Sequence, residues 1–162
     1  MEMNRSLKIS SLILFLSVWM SSCSNEKGVI CDFFGEIDDN QWVWNQKIQD
    51  EFEIEDTVSK YTMDLHLRHL DSYAYENLYV ILHITSPSGT EQSIRVNVNL
   101  ANDQGQWFGE GVSGKKTLTV KLPNRIKAIQ KGKYKIAIEQ NMRDNPLLGI
   151  CDIGLKIKKA GS

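Results

Sequence analysis

The sequence predicts an all-β protein, an antiparallel β-sandwich of jelly-roll type with about seven or eight strands. Three observations predict it: apolar and polar residues alternate through most of the chain, turn sequences separate the alternating segments, and only one weak helix candidate is present. A period of two places every second side chain on the same face, which is typical of antiparallel sheets with one solvated face. Two such sheets can stack on their apolar faces.

The alternating segments follow one another along the chain. Their apolar positions are Phe52 and Ile54; Met63, Leu65 and Leu67; Leu78, Val80, Leu82 and Ile84; Ile94, Val96, Val98 and Leu100; Leu118, Val120 and Leu122; Tyr134, Ile136 and Ile138; and Ile153, Leu155 and Ile157. Residues 86–89, SPSG, predict a tight turn that joins the third and fourth segments as a hairpin. Residues 124–131, NRIKAIQK, are the helix candidate, because they span about two turns and end at Gly132.

The N-terminus has the layout of an export signal. Arg5 and Lys8 precede an apolar run at residues 12–20, LILFLSVWM, and the small residues before Cys23 resemble a bacterial lipobox. In that pattern Cys23 becomes the first mature residue and carries acyl chains; an ordinary signal peptide with a chance cysteine is the alternative. The run is shorter than the roughly 20 residues of a membrane span. We expect a signal peptide at 1–22, a lipidated tether at 23–30 and one sandwich domain at 31–160.

Two further cysteines, Cys31 and Cys151, would be exported with the chain into an oxidising compartment. Cys151 has the same parity as the apolar residues of the last segment and is expected to point inward. Cys31 stands just before the first acidic strands. If the two ends of the chain are neighbours, a disulfide can join these cysteines, and two buried free thiols are the alternative.

Charge is unevenly distributed although the net charge is only −1. Residues 32–57 contain nine acids and one lysine, whereas residues 115–160 contain twelve basic residues and three acids. Acidic first strands that lie beside basic last strands would explain this through cross-strand pairs. A bipolar surface that faces charged partners is the alternative. The near-zero balance gives no indication of nucleic-acid binding.

One glycine-rich stretch resembles two nucleotide-binding loops. In GEGVSGKK, residues 109–116, Gly109, Gly111 and Gly114 fit G-x-G-x-x-G, and Lys115 follows as in a phosphate-binding loop. Both loops must open a helix, whose N-terminus holds the phosphate. The residues that follow, KKTLTVKL, alternate like a strand, and Lys116 replaces the required hydroxyl. We expect a connection between strands and no nucleotide.

Catalytic and metal-binding patterns are absent from the sequence. His66 and His83 are predicted on polar faces of neighbouring strands, but no zinc-type spacing accompanies them or His69. The carboxylates of EFEIED share one strand face and predict a solvated surface. We therefore expect no enzyme activity, no metal and no cofactor.

The tryptophans offer a choice between core and surface. Trp42 and Trp44 are two residues apart, so in a strand they share one face, and Trp107 lies in the glycine-rich connection. Exposed aromatic residues can bind sugars or proteins, but burial in the core is the favoured prediction for each.

Specific strings make the chain similar to the gliding-motility lipoprotein GldH family of Bacteroidota. Residues 133–158 contain the family's I-E-Q-x-M-R and G-I-x-D-[VI]-G strings, and residues 75–90 resemble its N-L strand and P-x-G turn. Residues 99–111 resemble its D-x-x-G-x-W-x-G-x-G loop, with Asp103 one residue nearer to Gly105 than in that pattern. The matching positions are Asp103, Gly105, Trp107, Gly109, Gly111, Glu139, Gln140, Met142, Arg143, Gly149, Asp152 and Gly154. Cys31, Cys151 and the strongly basic last strand depart from the family pattern.

The resemblance implies a lipoprotein of the cell envelope, held by its N-terminal lipid, that supports gliding motility and the protein secretion linked to it. Together with the absence of catalytic patterns, it leads us to expect a non-catalytic sandwich that faces the periplasm and binds other envelope proteins. It also implies structural roles for the matching residues, including a loop at residues 103–111 that holds the fold around Trp107. A glycan-binding module of the envelope, suggested by the sandwich and the four tryptophans, is the alternative function.

Overall fold

The computed structural model describes residues 27–161, except for the side chains of Asn124 and Arg125. The predicted signal peptide and Cys23 lie outside the described residues. The strands are β1 Val29–Glu36, β2 Gln41–Trp42, β3 Ile48–Ile54, β4 Lys60–Leu70, β5 Asn77–Thr85, β6 Glu91–Asn99, β7 Lys115–Lys127, β8 Gly132–Gln140, β9 Leu147–Leu148 and β10 Ile150–Lys159, with a short 3₁₀ turn at Asp38–Asn40. β1 begins at Val29, two residues inside the expected tether.

Eight of these strands form two antiparallel four-stranded sheets, and β2 and β9 form a small separate pair. The first sheet has the order β1-β10-β4-β7 and the second has the order β3-β8-β5-β6. Consecutive long strands mostly alternate between the sheets, which is the arrangement of an eight-stranded jelly roll. The predicted all-β sandwich is confirmed, with ten strands rather than seven or eight.

The core lies between the two sheets and is built from the alternating apolar positions. Its fully buried side chains include Met63, Leu65, Leu67, Leu78, Leu82, Ile136, Ile138, Ile153 and Leu155. Each buried side chain of this size contributes about 1.5–3 kcal/mol of transfer free energy. The period of two therefore identifies the core side of most long strands.

Acidic and basic segments are paired across neighbouring strands, as the simpler explanation of the charge distribution predicts. On β1 and β10, Asp32 lies 3.2 Å from the Lys156 ammonium. On β3 and β8, the Glu51 carboxylate lies 3.1 Å from the Lys133 ammonium. Solvent screens such surface pairs, so they contribute little to stability, and their main effect is to favour this register.

The predicted helix at residues 124–131 is wrong. β7 continues as a strand to Lys127, and Ile126 pairs with Tyr61 of β4. The register shifts between the Thr62 and Asp64 positions, so that β7 bulges around Pro123 and then resumes pairing. A bulge tolerates a proline, which lacks the N–H for the sheet ladder. Pairing with β4 outweighs the local helical propensity.

Candidate functional site

Four connections meet at one end of the sandwich, which we call the loop end: residues 37–47, 71–76, 100–114 and 141–149. Backbone hydrogen bonds join them. Gly149 N–H donates to Asn40 O (2.9 Å), Leu70 N–H donates to Gly149 O (2.8 Å), and Asp71 N–H donates to Gly114 O (2.8 Å). The β2–β9 pair also lies here, because Trp42 pairs with Leu147. The loop end is thus a single ordered surface.

Gln140 organises the connection at 141–149 from inside. Its side chain is 1% exposed, its amide nitrogen donates to Asp144 O (3.0 Å), and its amide oxygen accepts from Met142 N–H (2.8 Å). The same nitrogen lies 3.4 Å from the carbonyl oxygen of Trp42. Because a buried amide is stabilised only when its polar atoms are paired, these bonds hold residues 142–144 in one conformation.

Beside Gln140, six residues line an open depression that we call the aromatic–arginine shelf: Tyr75, Tyr79, Arg95, Asn141, Met142 and Arg143. The Arg95 guanidinium lies 4.5 Å from the centre of the Tyr79 ring. The Tyr79 N–H donates to the Met142 sulfur at 3.2 Å. In the part of the chain that the structure describes, neither arginine forms an ion pair. The shelf therefore offers apolar ring faces together with two guanidinium groups.

Tyr75 forms the rim of the shelf and remains neutral. Its hydroxyl donates to the Asp144 carboxylate at 2.6 Å, and this hydrogen bond raises the pKa of Tyr75 above its ordinary value. The ring also contacts Tyr73 edge-on, with centroids 5.8 Å apart. A shelf of this composition suits an anionic group that is carried on an apolar or planar surface.

The loop at residues 100–114 is held by its own polar and glycine residues. The Asn102 side chain accepts the N–H groups of Gln104 and Gln106, at 3.0 and 2.9 Å. Trp107 is half-buried rather than enclosed, and its ring meets His69 edge-on at 4.7 Å. Asp103 and Gly105 lie exposed in the turn. Sequence reasoning missed Asn102, whose Asx-turn signal lies directly before Asp103.

Two glycines of the same loop lie against the start of β7. A Cβ atom at Gly109 would be 2.3 Å from the Thr117 carbonyl oxygen, and one at Gly111 would be 1.9 Å from that of Lys115. Lys115 opens a strand rather than a helix. The stretch GEGVSGKK therefore provides no helix N-terminus at which a phosphate could bind.

The remaining family-string residues are spread over both sheets. Asp152 Oδ2 accepts a hydrogen bond from Arg68 Nε at 2.6 Å and lies 2.5 Å from Arg68 Nη2 in the same ion pair. A Cβ atom at Gly154 would lie 2.0 Å from the carbonyl oxygen of Phe33. Glu139 lies on the outer face of the second sheet and contacts Lys47 and His83 at 3.0 Å each. Of the family-string residues, Met142 and Arg143 thus line the shelf, and Gln140 is buried beside it.

The histidines do not converge. The prediction that His66 and His83 lie on neighbouring strands is wrong, because β4 and β5 belong to opposite sheets and the two side chains project from opposite outer faces. His69 is fully buried instead, and its Nδ1 lies 2.9 Å from Leu70 O. Within residues 27–161, no group of three or more potential ligands could hold a metal ion.

The tryptophans are also separated. Trp42 is fully buried and donates from Nε1 to Gln46 O at 2.8 Å, whereas Trp44 is 48% exposed and donates to Met142 O at 3.2 Å. The favoured burial is confirmed for Trp42 and wrong for Trp44, and the two share no strand face because β2 ends at Trp42. Trp44 extends the exposed aromatic surface of the loop end.

The expected disulfide between Cys31 and Cys151 is absent, and both buried cysteines are free. Cys31 is paired with Ile157, six residues beyond Cys151 on β10. At about 3.3 Å per residue the two Cα atoms are roughly 20 Å apart, far beyond disulfide reach. The chain ends are neighbours as expected, but the antiparallel register separates the sulfurs.

Both thiols should be unreactive in the folded protein. Burial, together with the adjacent Asp50 carboxylate, raises the pKa of Cys31 to about 12, and burial also raises the pKa of Cys151. The thiolate is the reactive form, and little thiolate is present at neutral pH.

Thiol titration of unfolded, unreduced protein that is acylated at Cys23 should give two thiols per chain. A count of zero free thiols would show that Cys31 and Cys151 form a disulfide.

No helix among residues 27–161 is long and apolar enough to cross a bilayer.

The family model described as GldH lipoprotein matches residues 29–157. A relative from Christiangramia forsetii, named "Gliding motility lipoprotein GldH homolog", is 27% identical over 92% of this chain and 94% of its own length.

A second relative, from Flavobacterium johnsoniae and named "Gliding motility lipoprotein GldH", is 26% identical over 94% of this chain and 98% of its own length. A solved chain titled "Structure of infectious bursal disease virus Gx strain" overlaps with a TM-score of 0.30 and 11% identity, over 83% of this chain and 32% of that chain. The family model spans nearly all of the sandwich, from β1 to β10. The chain therefore belongs to the GldH lipoprotein family.

Proposed function

We propose that this chain is a non-catalytic lipoprotein of the cell envelope, facing the periplasm, that supports gliding motility and the protein secretion linked to it by binding other envelope proteins. The observation that carries the proposal is the aromatic–arginine shelf at the ordered loop end. Exposed aromatic and arginine side chains are the residues that contribute most to protein interfaces. The names of the two relatives support the link to gliding.

The position of the shelf relative to the N-terminus supports the same proposal. β1 begins at Val29 at the end of the sandwich opposite the loop end. Five residues lie between Cys23 and Val29, and the six Cα–Cα steps span at most about 20 Å. A lipid on Cys23 would hold that opposite end near the bilayer and leave the shelf facing a partner in the surrounding compartment.

Acylation of Cys23 is the first expected result. Metabolic labelling with a fatty-acid probe should mark the wild-type chain and not Cys23→Ala, because the lipobox-like residues place this thiol at the processing site. The Cys151→Ala variant, which removes a buried thiol, serves as the matched control and should stay labelled. Equal labelling of wild type and Cys23→Ala would contradict the lipid anchor.

The functional test reverses charge on the shelf in the organism that carries the gene. A deletion strain should lose colony spreading and release less secreted protein, and wild-type chain should restore both. Arg95→Glu with Arg143→Glu should fail to restore them, while folding normally, because surface changes alter stability by only about 0.5 kcal/mol. Lys115→Glu with Lys121→Glu makes the same charge change on exposed residues of the other sheet and should restore both. An unaltered deletion strain, or restoration by the shelf variant, would contradict the proposal.

A glycan-binding module is the second candidate function. Tyr79 lies beside an amide row in which Asn77 donates to Asn97 at 2.8 Å and Asn97 lies 3.4 Å from Asn99. Aromatic faces flanked by amides can bind sugar rings. Pull-down with soluble envelope glycans should fail if the first proposal holds, whereas photo-crosslinking from position 79 should reach an envelope protein. Glycan binding that is lost in Tyr79→Ala would favour the second candidate.

A further inference from the structure

The end of the sandwich opposite the loop end carries two of its most exposed apolar side chains. We call this end the base: residues 27–29, 54–60, 85–91, 127–132 and 159–161. Val58 is 93% exposed and Ile129 is 76% exposed. A single exposed apolar side chain is ordinary, but apolar side chains that share one surface can mark an interaction site.

Val58 is presented by a fixed turn. The Asp56 carboxylate accepts the N–H of Val58 at 2.9 Å, the N–H of Ser59 at 3.2 Å and the Ser59 hydroxyl at 2.7 Å. The Tyr61 hydroxyl donates to Asp56 O at 2.6 Å. These bonds order the connection on both sides of Val58 and direct its side chain away from the core.

Ile129 is held in a similar way by its neighbours. Ala128 is buried at 2% exposure, and the Tyr134 hydroxyl donates to Gln130 O at 3.0 Å. The two connections run side by side, because Ile54 pairs with Gly132. At their other ends, Lys60 pairs with Lys127. The two apolar tips therefore belong to one surface.

The base is also positively charged. Its lysines are Lys27, Lys60, Lys127, Lys131 and Lys159, and its acids are Glu55, Asp56 and Glu91, which gives a net charge of five minus three, or +2. Lys159 is paired with Asp56 at 2.5 Å. The whole chain has a net charge of −1, so positive charge is concentrated at this end. Apolar tips ringed by lysines match the chemistry of a bilayer surface that contains anionic lipids.

We propose that the base rests directly on an anionic bilayer surface, with Val58 and Ile129 among the headgroups and the lysines against lipid phosphates. The position of the N-terminus supports this occupant over a protein, because β1 begins at the base within about 20 Å of Cys23. The inference rests on the lipid anchor proposed above. It gives the lipoprotein a fixed orientation, with the shelf held away from the membrane.

The test places a fluorophore at the base and at the loop end of the acylated protein. Val58→Cys and Ile129→Cys are labelled and reconstituted into phosphatidylcholine vesicles with and without phosphatidylglycerol. Val112→Cys is the matched control, because Val112 is 83% exposed at the loop end. Nitroxide-labelled lipids should quench the labels at positions 58 and 129, more strongly with phosphatidylglycerol, and should leave position 112 unquenched. The wild-type chain, treated with the same fluorophore, gives the background signal. Its native thiols, Cys31 and Cys151, are buried and should remain unlabelled.

A charge variant tests the same contact without altering the apolar tips. Lys127→Glu with Lys131→Glu should reduce quenching at position 58, whereas Lys115→Glu with Lys121→Glu should not. Quenching at positions 58 and 129 no greater than at position 112, in protein whose acylation is verified by mass, would overturn the docking and leave the anchor intact. Quenching that is independent of phosphatidylglycerol and of the base lysines would overturn the anionic contact. Absence of acylation would overturn both proposals.

Discussion

Replacement of Trp42 by alanine should lower the free energy of unfolding by about 3–5 kcal/mol. Trp42 is fully buried, and its indole nitrogen is bonded to Gln46 O. Truncation removes the largest core side chain of the loop end and leaves that carbonyl without its indole donor. Denaturant unfolding, followed by circular dichroism, measures the change through the transition midpoint.

Trp44→Ala is the matched control for this prediction. Trp44 is 48% exposed, and its indole donates to Met142 O in a solvated setting. We expect a loss of about 1 kcal/mol or less, because exposed side chains contribute little burial. If both variants lose similar stability, the assignment of Trp42 to the core and Trp44 to the surface is wrong.

The contrast between these two tryptophans shows where sequence periodicity stops being informative. Alternation predicts a face only while the chain remains a strand, and β2 is only two residues long. In β5, by contrast, Leu78, Val80, Leu82 and Ile84 are all buried as predicted. Long strands satisfy the period because the whole apolar face contacts one core. Short strands depend on contacts that the local sequence does not specify.

Sheet membership is a second property that the sequence alone could not supply. The pattern identified β4 and β5 as strands but could not place them in opposite sheets, so the separation of His66 from His83 was missed. The register of β1 on β10, which keeps Cys31 far from Cys151, is equally non-local. Such pairings are set by the summed packing of both sheets rather than by any single segment.

The shelf depends on the same non-local contacts. Its residues come from the connection at 71–76, from β5 and β6, and from the connection at 141–149. The family strings pointed to Met142 and Arg143, but Tyr75, Tyr79 and Arg95 carry no local signal of a common site. Their convergence follows from the pairing of β5 with both β6 and β8.

Gly109→Ala should destabilise the fold by about 2–5 kcal/mol, for two separate reasons. Gly109 has φ of +87°, which costs an L-residue about 1–2 kcal/mol. A Cβ atom there would also be 2.3 Å from Thr117 O, and forcing such a contact typically costs about 1–3 kcal/mol. Thermal and denaturant unfolding of the purified variant measure the sum.

Gly114→Ala separates the two causes, because it lies in the same connection with a similar φ of +78° and has no atom within 4 Å of the added Cβ. It should lose only the conformational part, about 1–2 kcal/mol. The difference between the variants is then the cost of the close approach of the loop to β7. Equal losses would mean that the loop moves aside at Gly109.

A phosphate-binding loop would behave differently, since ATP would raise the melting temperature of the wild type and Lys115→Ala would abolish the rise. Because Lys115 opens a strand at an exposed position, we expect ATP to leave both melting temperatures unchanged.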